Sequence, residues 1–386
     1  VRYVGNHAAK QLRGIDYNQV DIASNGFLGD FLRAQYNGNL SRAATGVFNP
    51  AYTGPGSKPL TVIPFLVGGG YLTDPSVSSL IDQGQAGELA YEYQASGLNG
   101  PINFFPNPNA IAANLLTNYS NASYNALQAD VTRRTSSGLQ YQFNYTFSKV
   151  MSDTFGNTAH DFEPFLDIHN AQIERARTPF DITHAFKANA YYELPFGPGH
   201  RWNFRPIGKL ISGWNIAGLL TRQSGAPFSI LSGRGTVNRA GRSTGETAFT
   251  TLDKSELDNL LQFRQTGTGP YVAAASLIDT DGRGTTQEGA PLFAGQVFTN
   301  PAGGSIGGLQ RNMFSGPWVW DVDFRIGKTT RLTERQSVDL RMEALNLFNH
   351  PSWLVGDQNI NSPQFGEIAS TLYPRRTIQL SLYYRF

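Results

Sequence analysis

Apolar and polar residues alternate strictly from Gly138 to Ser148. Leu139, Tyr141, Phe143, Tyr145 and Phe147 hold one parity, and Gln140, Gln142, Asn144, Thr146 and Ser148 hold the other. A period of two sustained over about ten residues predicts a strand with one apolar and one polar face. The pattern recurs at the C-terminus, where Ile378, Leu380, Leu382, Tyr384 and Phe386 alternate with Thr377, Gln379, Ser381, Tyr383 and Arg385. It recurs again where Trp318, Trp320, Val322, Phe324 and Ile326 face away from Val319, Asp321, Asp323, Arg325 and Gly327, and where Val338, Leu340, Met342 and Ala344 oppose Asp339, Arg341, Glu343 and Leu345. Weaker alternation predicts further strands over residues 1–13, 123–134, 181–194 and 209–224, for about eight in all.

The connections between these strands alternate in length. Thr135-Ser136-Ser137 and the segment Thr329 to Arg335 read as tight turns, and residues 195–208, with Pro195, Gly197, Pro198 and Gly199, as a medium one. Residues 14–122, 149–180, 225–316 and 348–373 are long, often aperiodic and rich in Gly, Pro, Asn and Ser. Loops of this length are uncommon inside compact soluble domains. Counting back from a periplasmic Phe386 puts every short turn in the periplasm and every long loop outside, as in outer-membrane barrels. A soluble β-sandwich also alternates, with its apolar face packed in a core. Apolar faces crowded with Tyr, Phe and Trp near strand ends favour the membrane. The predicted fold class is therefore all-β: an antiparallel transmembrane β-barrel with long extracellular loops.

Composition sharpens this. Charged residues are 16% of the chain, hydrophobic residues 40% and aromatic residues 12%, with a mean hydropathy of −0.31. No apolar run approaches the ~18 residues of a membrane-spanning helix. A net charge of +2 gives no basis for nucleic-acid binding, and zero cysteines exclude disulfides and thiolate metal sites. The chain starts Val1-Arg2-Tyr3-Val4-Gly5-Asn6-His7, without a signal segment, and is expected to be the C-terminal part of a longer protein.

Several stretches, in this order and spacing, carry a resemblance. They are Tyr3-Val4-Gly5-Asn6-His7, Tyr124-Asn125-Ala126-Leu127-Gln128, Asn144-Tyr145-Thr146-Phe147-Ser148-Lys149 and Phe180-Asp181-Ile182-Thr183-His184. Ser212-Gly213-Trp214-Asn215, Gln223-Ser224-Gly225-Ala226-Pro227-Phe228 and Trp320-Asp321-Val322-Asp323-Phe324 continue the series. Arg341-Met342-Glu343-Ala344-Leu345-Asn346-Leu347-Phe348-Asn349-His350-Pro351 and the terminal Tyr384-Arg385-Phe386 complete it. The chain resembles the C-terminal barrel of TonB-dependent outer-membrane receptors, particularly the Oar-like group. The resemblance implies residues 1–386 as part of a barrel of about 22 strands, without the N-terminal plug and the earlier strands. It implies import of a scarce or bulky nutrient, no enzymatic activity and no cofactor. The implied partners are outer-membrane lipid, the TonB complex through the missing N-terminal part, and the barrel-assembly machinery. That machinery would read a terminal signal at Phe386, with Tyr384, Leu382 and Leu380 behind it. A stand-alone eight-stranded barrel with a structural or adhesive role is the rival reading, and a soluble carbohydrate-binding β protein a more distant one.

Candidate chemistry is sparse. Asp321, Asp323, Arg325, Asp339, Arg341 and Glu343 lie on the polar parity of two adjacent strands. Cationic side chains facing lipid would cost roughly 2–4 kcal/mol at mid-membrane, acids less, so a lumen-facing structural ladder is expected. His160-Asp161-Phe162-Glu163 and Asp167-Ile168-His169 carry metal-capable groups at spacings that match no established zinc or calcium loop, so polar loop surface is expected. Asp279-Thr280-Asp281-Gly282 lacks the remaining ligands of a calcium loop. Gly303-Gly304-Ser305-Ile306-Gly307 matches a nucleophile elbow in letters but lacks the flanking strand and helix. Trp202, Trp214, Trp318, Trp320 and Trp353 suit interfacial girdles. Tyr71, Tyr91, Tyr93, Phe104 and Phe105 suit either loop packing or ligand stacking. Thr250 to Phe263 predicts a short helix with Leu257, Leu260 and Leu261 on one face, starting at Thr250 and Asp253.

Overall fold

The computed structural model describes residues 1–154, 164–198, 200, 202, 207–240 and 245–386. Eight strands follow one another in a single antiparallel meander: β1 Arg2–Asp16, β2 Asn114–Arg134, β3 Leu139–Ser152, β4 His184–Glu193, β5 Trp214–Gln223, β6 Val319–Arg331, β7 Ser337–Leu345 and β8 Thr377–Arg385. A two-residue strand, Ala176–Arg177, pairs beside β3. The sheet is open within the chain, and β1 and β8 are its edges.

Register carries the sequence alternation from strand to strand. Phe143 lies opposite Val131 and Ala188, Ala188 opposite Leu220, and Leu220 opposite Val322. Ile326 lies opposite Ile216 and Met342, and Met342 opposite Leu380. A one-residue slip in any pair would put apolar side chains on the polar face, so one apolar face runs unbroken across the sheet. Among the described residues no second layer packs on the middle of it. Leu127, Phe143, Phe147, Leu340, Ile378, Leu380 and Leu382 are exposed, whereas the two buried hydrophobic clusters consist almost wholly of loop residues. A sandwich would have buried this face against another sheet. No helix among the described residues is long and apolar enough to cross a membrane.

Short connections gather at one end of the sheet. Thr135 N–H donates to Leu139 O across the β2–β3 turn, and Leu332 N–H to Gln336 O across the β6–β7 turn. The β4–β5 connection enters β5 at Gly213, whose φ is 76° and whose Cβ, if present, would lie 2.1 Å from Thr329 O. Only glycine fits there without moving β6.

The other end carries residues 17–113, 153–183, 224–318 and 346–376, and here the expectation of aperiodic loops needs correction. The first of these segments folds around three helices, α1 Phe27–Thr45, α2 Pro75–Asp82 and α3 Ala86–Ala95. They close on Phe27, Phe31, Ile63, Ile81, Leu89 and Phe104. Asp30 joins α1 to the next segment by accepting from the N–H groups of Thr61, Val62 and Ile63. The two segments 224–318 and 346–376 share a second core of Phe228, Leu257, Phe298, Phe314, Ile360 and Phe365. The predicted helix is there as α4 Lys254–Leu260, but it starts in a capping box between Asp253 and Glu256, not at Thr250. The chain is thus mostly β with helical loop cores, not all-β. The strands β1 and β2 also extend past their expected limits into the loop end, where Gly14, Ile15 and Asp16 pair with Leu116, Leu115 and Asn114. The two cores interlock: Arg234 Nη1 donates to Gln83 O at 2.9 Å, and Glu88 N–H to Gly235 O at 3.0 Å.

Candidate functional site

The six residues of the expected ladder share the polar face, and register places Arg325 directly opposite Glu343, 3.9 Å apart at their nearest charged atoms. Asp339 collects the turn-end charges. It accepts from Thr329 Oγ1 at 2.6 Å and lies 2.8 Å from Arg385 and 3.5 Å from Arg341. The Arg341 guanidinium lies over the Tyr383 ring, 4.8 Å from its centroid. Asp323 Oδ1 accepts from Asn346 N–H at 3.0 Å, fixing the exit from β7. A shallow depression of about 340 Å³ lies beside Asp323, Arg325 and Glu343, with Asn189, Tyr191 and Leu219. Arg385, on the polar parity of β8, joins the ladder through its pair with Asp339. Leu380, Leu382 and Tyr384 lie on the apolar face of edge strand β8, and Phe386 follows it, fully exposed.

The loop end is held together by a buried charge junction that sequence reasoning missed. Glu174 lies 2.8 Å from Arg311 and 3.6 Å from Arg13, and its Oε1 accepts from Leu166 N–H at 2.8 Å. Arg13 belongs to β1, stacks over Phe165 at 4.1 Å and donates to Asp153 O. One carboxylate therefore ties the first strand, the 164–176 segment and the second loop core. The three residues are distant in sequence, and nothing local marks them.

Nearby, Glu246 is buried beside Thr236 and Gly307. Desolvation raises its carboxyl from 4.5 to about 7, although Gly307 N–H and Thr236 Oγ1 donate to it at 2.7 and 3.2 Å and oppose the shift. In the window from pH 4.5 to 7 the unfolded chain sheds this proton while the folded chain keeps it, so stability falls as pH rises. The full loss is on the order of 3 kcal/mol. Glu246→Gln is expected to flatten the pH dependence of the loop cores across that window and to raise their melting temperature at pH 8. Scanning fluorimetry of both proteins from pH 4.5 to 8 checks this.

The other sequence candidates resolve individually. Residues 160–163 lie outside the described residues. Asp167 caps a short helical turn by accepting from His169 N–H at 2.8 Å, and no group of three potential metal ligands gathers among the described residues. Asp279 and Gly282 close a turn, in which Asp281 lies 3.5 Å from Arg283. Ser305 Oγ donates to Ala302 O within a loop turn. Tyr93 and Phe104 are buried in the first loop core rather than displayed for a ligand; Phe105 is buried with its ring 6.1 Å from that of Tyr91, and Tyr91 lies under the Arg239 guanidinium at 3.5 Å. Tyr71 is exposed. Trp318 and Trp320 stand at the loop end of the sheet and Trp214 at the turn end, with Lys328 Nζ 5.1 Å from the Trp214 ring centroid. Trp202 lies in the β4–β5 connection, where it bridges Phe196. Trp353 departs from the girdle reading: it pairs with Thr371 within the loops and packs against the second core.

An unbroken apolar face with no packed layer in its middle among the described residues, a polar face carrying the Arg325–Glu343 and Arg385–Asp339 pairs, and short turns opposite folded loops define a membrane β-barrel wall. A family model described as an outer membrane beta barrel domain matches residues 1–379. The chain belongs to that family and resides in the bacterial outer membrane. Searches of curated proteins and of solved structures found no match.

Proposed function

We propose that the chain is barrel wall of a TonB-dependent outer-membrane receptor that imports a scarce or bulky nutrient. The observation that carries this reading is the open sheet: its eight strands present a polar face with ion pairs at Arg325–Glu343 and Arg385–Asp339, yet β1 and β8 do not meet. An eight-stranded barrel that closes has an interior just wide enough for its own side chains to fill. This sheet instead leaves a shallow depression over Asp323, Arg325 and Glu343, as the lining of a wider lumen does. In that setting Arg325–Glu343 and Arg385–Asp339 offset charge along the wall, while Asp321 and Asp323 leave it net acidic. The two interlocked loop cores form a preorganised outer mouth, and the β8 side chains with Phe386 serve as the signal for barrel assembly. No bond is made or broken, so the role is transport without catalysis.

The test is the intact mass of the polypeptide isolated from the native outer membrane, combined with whole-cell cross-linking to TonB. A mass far above 42.3 kDa, with TonB captured on the same chain, is the expected result. A mass of 42.3 kDa without TonB capture would overturn the import reading in favour of a stand-alone structural or adhesive barrel.

A further inference from the structure

At the loop end of the apolar face, the sheet and the second loop core enclose a groove of about 1280 Å³. Its floor is set by register. Leu220 and Val322 lie opposite one another, as do Arg222 and Trp320, and Phe147 and Lys149 continue the same parity on β3. Its outer wall comes from loops, through Lys254 and Phe263 of the α4 region and through Trp353. The groove therefore opens on the face that meets lipid, not on the lumen side, and at the end of the strands where the long loops begin. In outer-membrane barrels that end is extracellular.

The charges there do not balance. Lys149, Arg177, Arg222 and Lys254 line the groove against one carboxylate, Asp258. Arg177 is matched by Asp181 at 2.9 Å, and Lys254 by Asp258 at 2.5 Å. Lys149 and Arg222 have no carboxylate within ion-pair reach among the described residues, and Arg222 rests over the Trp318 ring, 5.1 Å from its centroid. His350 adds no charge near neutral pH, because burial lowers its imidazole below the usual range and its ring stacks on Trp320 at 3.9 Å. Two uncompensated cations on a lipid-facing surface sit beside apolar floor residues and interfacial tryptophans. That combination matches an amphiphile with an anionic head and an acyl tail, because basic residues at a membrane surface attract anionic headgroups and tryptophan settles at headgroup level.

We propose that this groove binds a phosphorylated lipid of the outer leaflet, its phosphate between Lys149 and Arg222 and an acyl chain along Phe147, Leu220 and Val322. The bound lipid would seal the junction between the second loop core and the sheet. The proposal goes beyond import and holds whichever way that reading is decided, because it concerns the lipid face alone.

The test uses the full protein purified from the native outer membrane in a neutral detergent. It is titrated with dihexanoyl phosphatidic acid, with dihexanoyl phosphatidylcholine and with inorganic phosphate, followed by tryptophan fluorescence and native mass spectrometry. Phosphatidic acid is expected to saturate at one molecule per chain, at least tenfold more tightly than either other probe. The double variant Lys149→Gln/Arg222→Gln is expected to lose at least tenfold in affinity, while Lys187→Gln, on the polar face, leaves it unchanged. Inorganic phosphate binding as tightly as phosphatidic acid would replace the lipid site by a free-anion site. Non-saturating binding, equal binding of phosphatidylcholine, or an unaffected double variant would overturn the proposal. The preference of the unmodified protein among the three probes decides the matter even where the double variant folds poorly.

Discussion

Glu174→Ala is expected to cost about 3–5 kcal/mol in the stability of the loop end, the cost of breaking a buried ion pair by removing one partner. Glu174 and Arg13 are almost completely inaccessible, and Arg311 is 5% exposed. Removing the carboxylate takes a buried negative charge away from beside two guanidinium groups in a region of low dielectric, and the N–H of Leu166 loses its acceptor as well. Hydrogen exchange should rise first in residues 164–176 and around Arg311, while the middle of β6 stays protected. The triple variant Arg13→Met/Glu174→Met/Arg311→Leu is expected to recover most of the loss, because a well-packed apolar replacement escapes the desolvation penalty altogether. Equal exchange rates in Glu174→Ala and the unmodified protein would show that the junction holds nothing together.

The second large effect separates the two faces of the sheet. Ile326 sits mid-strand on the apolar face between Ile216 and Met342. Ile326→Arg is expected to destabilise the folded barrel by about 2–4 kcal/mol, the cost of a cation facing the bilayer midplane. Leu219 is just as apolar, but its parity puts it on the polar face opposite Asp323 and Asn189. Leu219→Arg is expected to stay within about 0.5 kcal/mol, as exposed substitutions usually do. Urea unfolding in lipid vesicles measures both. Similar costs for the two variants would mean that hydropathy, and not the face, decides.

The membrane-facing part of this fold was the part legible in the sequence. Where lipid covers one face and water the other, every second residue is constrained, and β3, β6, β7 and β8 showed this in their letters. Beyond the bilayer the constraint lapses, so the outer ends of β1 and β2 pair without a sustained alternation in their letters. The helix α1 was hidden for a related reason. Asp30, Asn37 and Ser41 are buried alongside Phe27, Phe31 and Ala34, so no apolar stripe of period 3.6 stands out. Parity placed the polar ladder on one face, but the match of Arg325 to Glu343 required the register. The Glu174 junction and the groove were not legible at all. The junction's residues come from segments more than a hundred positions apart, the groove's from several separate strands and loops, and both sets meet only through the packing of the loop cores.

The most direct test of the barrel-wall account is a spin-label scan of residues 319–330, one cysteine at a time, in native outer-membrane vesicles. Residues 1–386 carry no cysteine of their own, and any cysteine elsewhere in the polypeptide is replaced by serine first, so that each label is unique. The account predicts strict alternation: oxygen relaxes labels at Trp320, Val322, Phe324 and Ile326, and a water-soluble nickel complex relaxes those at Asp321, Asp323 and Arg325. Labels equally accessible to the nickel complex at both parities would contradict a sheet with one face in lipid.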